Sequence, residues 1–169
     1  MKDEGRSMPV TIKPEPLTGD AFAPFGAAFD PPALTQRVSL DNSLVNLRPG
    51  VARASYSVTQ AAPQLARPAP VSIVERHAFS SQSFTPLDPG RYLVIAGPKN
   101  AEGGADLATM RVFIGSGFQS FTYNADVWHG PITPLDSPMR FAIMMFNDGT
   151  SGDVELIRFP DPYLLVDLA

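Results

Sequence analysis

Apolar residues along this chain fall in short runs, most of them closed by glycine or proline, and no long stretch repeats with helical spacing. Arg91-Tyr92-Leu93-Val94-Ile95-Ala96, stopped by Gly97-Pro98, is the clearest strand pattern. Met110-Arg111-Val112-Phe113-Ile114, closed by Gly115-Ser116-Gly117, is the next. Residues 71–77, 140–146 and 154–159 read the same way, and 118–129 reads as one strand region stopped by Gly130-Pro131. Residues 38–57 suggest two strands around Arg48-Pro49-Gly50, and Asn147-Asp148-Gly149 predicts a hairpin turn. Thr11-Ile12-Lys13 is extended. Thr18 or Asp20 then caps a helix of one or two turns, ended by Pro24 and Gly26. Residues 61–70, rich in proline and alanine, form an irregular connection. Roughly eight or nine short strands at this spacing point to a sandwich, a jelly roll or a barrel, without choosing among them.

Composition sharpens this reading. With 18 prolines and 13 glycines there is little room for long helices, so the class is all-β with one or two short helices. A length of 169 residues fits one domain, expected over 11–169 after a disordered leader over 1–10. The formal net charge of −4 argues against nucleic acid or an anionic membrane as partner, since both reward a basic surface. No apolar run has the length of a signal peptide core or a membrane span. Cysteine is absent, which removes disulfides, thiolate ligands and a thiol nucleophile, and suits a reducing cytoplasm.

The chain has 2 histidines, both in company that suggests chemistry. In Glu75-Arg76-His77, strand alternation puts Glu75 and His77 on one face and Arg76 on the other. A carboxylate beside an imidazole orients the ring and raises its basicity, which suits proton transfer. His129 lies in Trp128-His129-Gly130-Pro131, where a strand ends in a turn. For both, a structural role competes: a pair at a strand end, or a buried tryptophan beside a hydrogen-bonded histidine. The usual cupin metal signature, two histidines one residue apart and then a glutamate, is missing, so no metal and no cofactor are expected. Gly115-Ser116-Gly117 has no following lysine and reads as a turn, not a phosphate loop.

Four segments in order resemble the ureidoglycolate lyase family. They are the opening from Ile12 to Gly26, with Pro16-Leu17, Phe22 and Phe25-Gly26; Glu75-Arg76-His77 followed by Gln82, Phe84 and Pro86; Asp106-Leu107 through Arg111-Val112-Phe113; and Tyr123 with Val127-Trp128-His129-x-Pro131. The resemblance implies a cupin-like (RmlC-like jelly-roll) β-barrel, usually a homodimer, that eliminates urea from ureidoglycolate to leave glyoxylate in allantoin breakdown. It also implies Glu75, His77 and His129 as catalytic residues. Arg48, Gln82, Tyr123 and Asn124 would contact the small-molecule substrate, with Arg48 as the carboxylate clamp. Two positions depart from the family pattern: Asn124 stands where many members have histidine, and Gly130 where some have histidine or an aromatic residue. Two other classes remain open at this point, a non-catalytic module that binds a small carboxylate and a metal-dependent enzyme of the same fold. Convergence of the two histidines and Glu75 in one pocket separates the lyase from the binding module, and metal analysis of the purified protein separates the metal-dependent enzyme from both.

Overall fold

The computed structural model of the protein describes residues 8–40 and 43–169. In chain order its strands are β1 (Val10–Ile12), β2 (Glu15–Pro16), β3 (Gly26–Phe29), β4 (Arg53–Ala61), β5 (Ala69–Val71), β6 (Ile73–Arg76), β7 (Gln82–Pro86), β8 (Gly90–Gly97), β9 (Arg111–Gly117), β10 (Ser120–Tyr123), β11 (Trp128–His129), β12 (Thr133–Pro134), β13 (Met139–Asn147), β14 (Glu155–Arg158) and β15 (Leu164–Val166). The short helix α1 (Gly19–Phe22) begins where expected, because the Thr18 hydroxyl accepts from Ala21 N at 3.1 Å. Of the expected leader, residues 1–7 lie outside the described residues, and Val10 already pairs in parallel with Leu164.

The strands form three open sheets in layers. A seven-stranded sheet, β14-β6-β11-β8-β9-β2 with β12 beside β8, lies between a five-stranded sheet, β3-β10-β7-β13-β4, and a three-stranded one, β1-β15-β5. The side chains of β8 show why this sheet is in the middle. Tyr92, Val94 and Ala96 pack with Phe84, Phe121, Tyr123 and Phe141 of the five-stranded sheet. Leu93 and Ile95, on the opposite face, pack with Val71, Leu164 and Val166 of the three-stranded sheet. A strand covered on both faces needs apolar residues at every position, which explains the unbroken run that stands out in the sequence. The all-β class holds, in the form of a jelly-roll-like sandwich whose sheets do not close into a barrel.

Phe121 is fully buried, stacked on Phe84 at 5.0 Å and edge-on to Tyr123 at 5.2 Å. Each such ring contributes about 1.5–3 kcal/mol by burial. Where β3 meets β10 the backbones approach so closely that a Cβ on Gly26 would sit 1.8 Å from the Thr122 carbonyl oxygen. That contact accounts for glycine after Phe25.

Three expectations are corrected. The stretch before β4 forms no strand among the described residues. Arg48 N donates to the Asn46 side chain at 2.9 Å, and Asn46 Nδ2 donates to Ala52 O at 3.1 Å. These local bonds, with Pro49-Gly50, limit its pairing to a single antiparallel bridge between Asn46 and Ser80. The region 118–129 divides into β10 and β11, because Asp126 adopts a positive φ of 70°. Asn147-Asp148-Gly149 does turn, with Gly149 at φ 80°, but it does not make a hairpin. β13 belongs to the five-stranded sheet, whereas β14 pairs with β6 in the middle one, so the loop crosses between layers.

Candidate active site

Glu75 and His129 are directly opposed across the antiparallel pair of β6 and β11. Their neighbours Val74 and Trp128 are buried toward the three-stranded sheet, so alternation turns Glu75 and His129 toward the five-stranded sheet. Arg76 faces the other way and lies over the Trp128 ring at 4.7 Å. His77 follows one residue after β6, and its ring centroid is 5.6 Å from that of His129. One donor atom from each of Glu75, His77 and His129 lies within 4.8 Å of the others. The face predicted from Glu-x-His spacing is therefore realised, and His129 joins it from 52 residues away in the chain by strand pairing.

The ring nitrogens are differentiated by the backbone. His129 Nδ1 lies 3.0 Å from Val127 O, and His77 Nδ1 lies 3.2 Å from Asp153 O. A carbonyl only accepts, so each Nδ1 carries a hydrogen and each neutral ring presents a lone pair on Nε2. Both Nε2 atoms are buried and without a hydrogen-bond partner. His129 Nε2 stands 3.4 Å from Glu75 Oε1, long for a hydrogen bond until that nitrogen takes a proton.

His129, as a hydrogen-bonding neighbour and then as a charge, holds the Glu75 carboxyl below the ordinary carboxylate range, while burial pulls the other way. His77 is held below the ordinary histidine range, first by burial and then by repulsion from His129, with Glu75 opposing. The site at neutral pH is thus an ionised carboxylate beside a neutral His77. An acceptor-rich cluster of this kind can move protons, and its two imidazoles and one carboxylate could equally hold a divalent cation.

The remaining sequence candidates are distributed unevenly. Gln82 is directly opposite Tyr123 in the β7–β10 pair, on the same sheet face. Its Oε1 is buried without a partner, and its Nε2 has only Met145 Sδ at 3.9 Å, so the amide is largely uncommitted. Tyr123 stacks on His129 at 4.2 Å and 19°, but its hydroxyl donates to Ile95 O at 3.2 Å, and burial pushes its pKa well above the usual phenol range. It therefore supports the His129 ring from behind. Arg48 is engaged by two carboxylates, Asp148 and Asp153, and lies over the Phe79 ring at 4.3 Å. Asn124 is exposed at the end of β10. The sequence reading missed Asp153, whose carbonyl meets His77 from 76 positions away, and no local signal marks it.

A family model described as ureidoglycolate lyase matches residues 9–166. A ureidoglycolate lyase of Chelativorans sp. is 34% identical over 158 residues, covering 88% of this chain and 92% of that protein. One from Brucella ovis is 30% identical over 159 residues, covering 89% and 91%. Among solved structures, a dTDP sugar isomerase from Desulfovibrio desulfuricans is similar with a TM-score of 0.47 at 15% identity, covering 81% of this chain and 83% of that one.

Proposed function

The chain belongs to the ureidoglycolate lyase family, and we propose that it cleaves ureidoglycolate to glyoxylate and urea by proton transfer at Glu75, His77 and His129. The observation that carries this reading is the convergence of both histidines and a carboxylate, from two strands distant in sequence, with His77 Nε2 unpartnered and His129 Nε2 facing Glu75. In the reaction the α-hydroxyl loses its proton, the carbon–nitrogen bond breaks as the carbonyl of glyoxylate forms, and the leaving nitrogen of urea gains a proton. His77, kept neutral by burial, takes the hydroxyl proton on Nε2. His129, protonated on Nε2 and stabilised by Glu75, gives a proton to the leaving nitrogen. A proton passed from His77 back to His129 across the cluster restores the starting state. The uncommitted Gln82 amide offers one donor edge and one acceptor to the ureido group, whose carbonyl and N–H complement it.

The same proposal places the enzyme in allantoin breakdown in the cytoplasm, a setting that suits a chain without cysteine. It also includes a homodimer. Support comes from β4, an edge strand of 9 residues whose apolar side chains Tyr56 and Val58 are exposed while Ser55, Ser57 and Thr59 occupy the alternate positions. Beside them are Met144 and Ala142 of β13, directly opposite Tyr56 and Val58, so this patch has no charge to bury against a second copy.

The test is release of urea and glyoxylate from ureidoglycolate, measured with and without a chelator. Turnover that survives the chelator supports the proton-transfer scheme. Turnover abolished by the chelator and restored by a divalent cation would replace it with metal ligation by the same three side chains. No release in either condition would refute the assigned substrate.

A further inference from the structure

The loop between β13 and β14 lies at one side of the catalytic cluster and sets one of its ring nitrogens. As the chain crosses from the five-stranded to the middle sheet, Ser151–Asp153 forms a single 3-10 turn. The turn brings the Asp153 carbonyl to His77 Nδ1, at 3.2 Å. Asp153 is held in turn from two directions. Its Oδ1 pairs with Arg48 Nη2, and its Oδ2 accepts from the backbone N of Asp148. Arg48 Nη1 reaches Asp148 Oδ2 at 3.0 Å, and Thr150 N donates to the other Asp148 oxygen at 2.8 Å. The Asp153 side chain is 9% exposed and that of Arg48 25%, so this ion pair is partly screened from the solvent that makes surface pairs weak.

We propose that Arg48 and Asp153 are positioning residues that lock the crossing loop so that its carbonyl holds His77 in the Nδ1–H form, with Nε2 as the free base. The proposal rests on the assignment of His77 as the proton acceptor. Arg48 then acts on the reaction without touching the substrate, in contrast to the carboxylate clamp implied by the family resemblance. The geometry favours this role because both of the guanidinium's terminal nitrogens are already committed to carboxylates. A substrate carboxylate would have to displace Asp148 or Asp153 to reach them. A neutral imidazole without a fixed acceptor exchanges between its two tautomers, and only one of them leaves Nε2 able to accept a proton.

The experiment compares wild type with Arg48→Met, Asp153→Asn and Arg48→Lys in two measurements. Imidazole 15N NMR reads the tautomer directly, and a chain with 2 histidines makes assignment simple. Steady-state kinetics separates kcat from KM. The expected result is Nδ1 protonation of neutral His77 in wild type, and a mixture of tautomers in Arg48→Met and Asp153→Asn. In both variants kcat falls about 10- to 100-fold, the usual cost of losing a ring's orienting partner, with KM little changed. Arg48→Lys recovers much of each effect. Arg48→Met with a wild-type tautomer and a raised KM would overturn the relay in favour of direct substrate binding. Should Arg48→Met not fold, the size-matched Asp153→Asn decides, and an unchanged His77 tautomer there also overturns it. The assignment of His77 as base fails separately, if His77→Asn retains wild-type turnover; the tautomer measurement stands whatever that result.

Discussion

Replacing Glu75 by glutamine probes the site at its one carboxylate without changing side-chain volume. In the proposed scheme Glu75 stabilises the protonated His129 ring, whose Nε2 is 3.4 Å away. Two unit charges at that separation interact by about 5 kcal/mol at an effective dielectric of about 20. The Glu75 side chain is 23% exposed, so solvent screens part of this and about 3–4 kcal/mol remains. Only the part of this attraction that differs between the bound substrate complex and the transition state reaches kcat, so the expected loss is about 10- to 10²-fold. The assay is urea release at saturating ureidoglycolate, with thermal melting to establish that the variant is folded. A folded Glu75→Gln enzyme with kcat within about fivefold of wild type would refute the claim that this carboxylate acts on the reaction.

Three further outcomes are expected. Because burial and His129 hold His77 below the ordinary histidine range, His77 stays a base as pH falls through that range, and the acid limb of kcat/KM lies below it; a limb at or above the ordinary value contradicts the assignment. Tyr123→Phe keeps the ring on His129 and loses one hydrogen bond to Ile95 O, so stability falls by about 1 kcal/mol while KM stays near wild type. A large rise in KM would return the hydroxyl to the substrate. Tyr56→Glu places a charge at the centre of the apolar β4 patch and converts the proposed homodimer to monomer in light scattering; a monomeric wild type, or a variant that remains dimeric, removes the face from the proposal.

The local code was readable where one strand supplied the whole signal. The apolar run of β8 announced a strand, Thr18 or Asp20 announced the start of α1, and the spacing of Glu75 and His77 announced a shared face. His129 stood out as the second of 2 histidines and Gln82 entered through the family resemblance, but that β11 sets His129 beside Glu75 was beyond what alternation within β6 could find. Arg48 illustrates the opposite case. An arginine in a turn has the same local pattern whether it meets a substrate or a neighbouring aspartate, and Asp148 and Asp153 lie 100 and 105 positions further along.

Periodicity of two and the placement of glycine and proline determine, from the sequence alone, that this chain makes short strands and which side chains of each share a face. They do not determine which strands become neighbours, because pairing depends on closing long loops against the packing of distant side chains. Asn147-Asp148-Gly149 looked like a hairpin because the turn chemistry is local, yet β14 pairs with β6. That crossing sets the Asp153 carbonyl against His77, and the pairing of β6 with β11 sets Glu75 against His129. The chemical identities were in the sequence, whereas their arrangement as a site was decided by how the sheets stack.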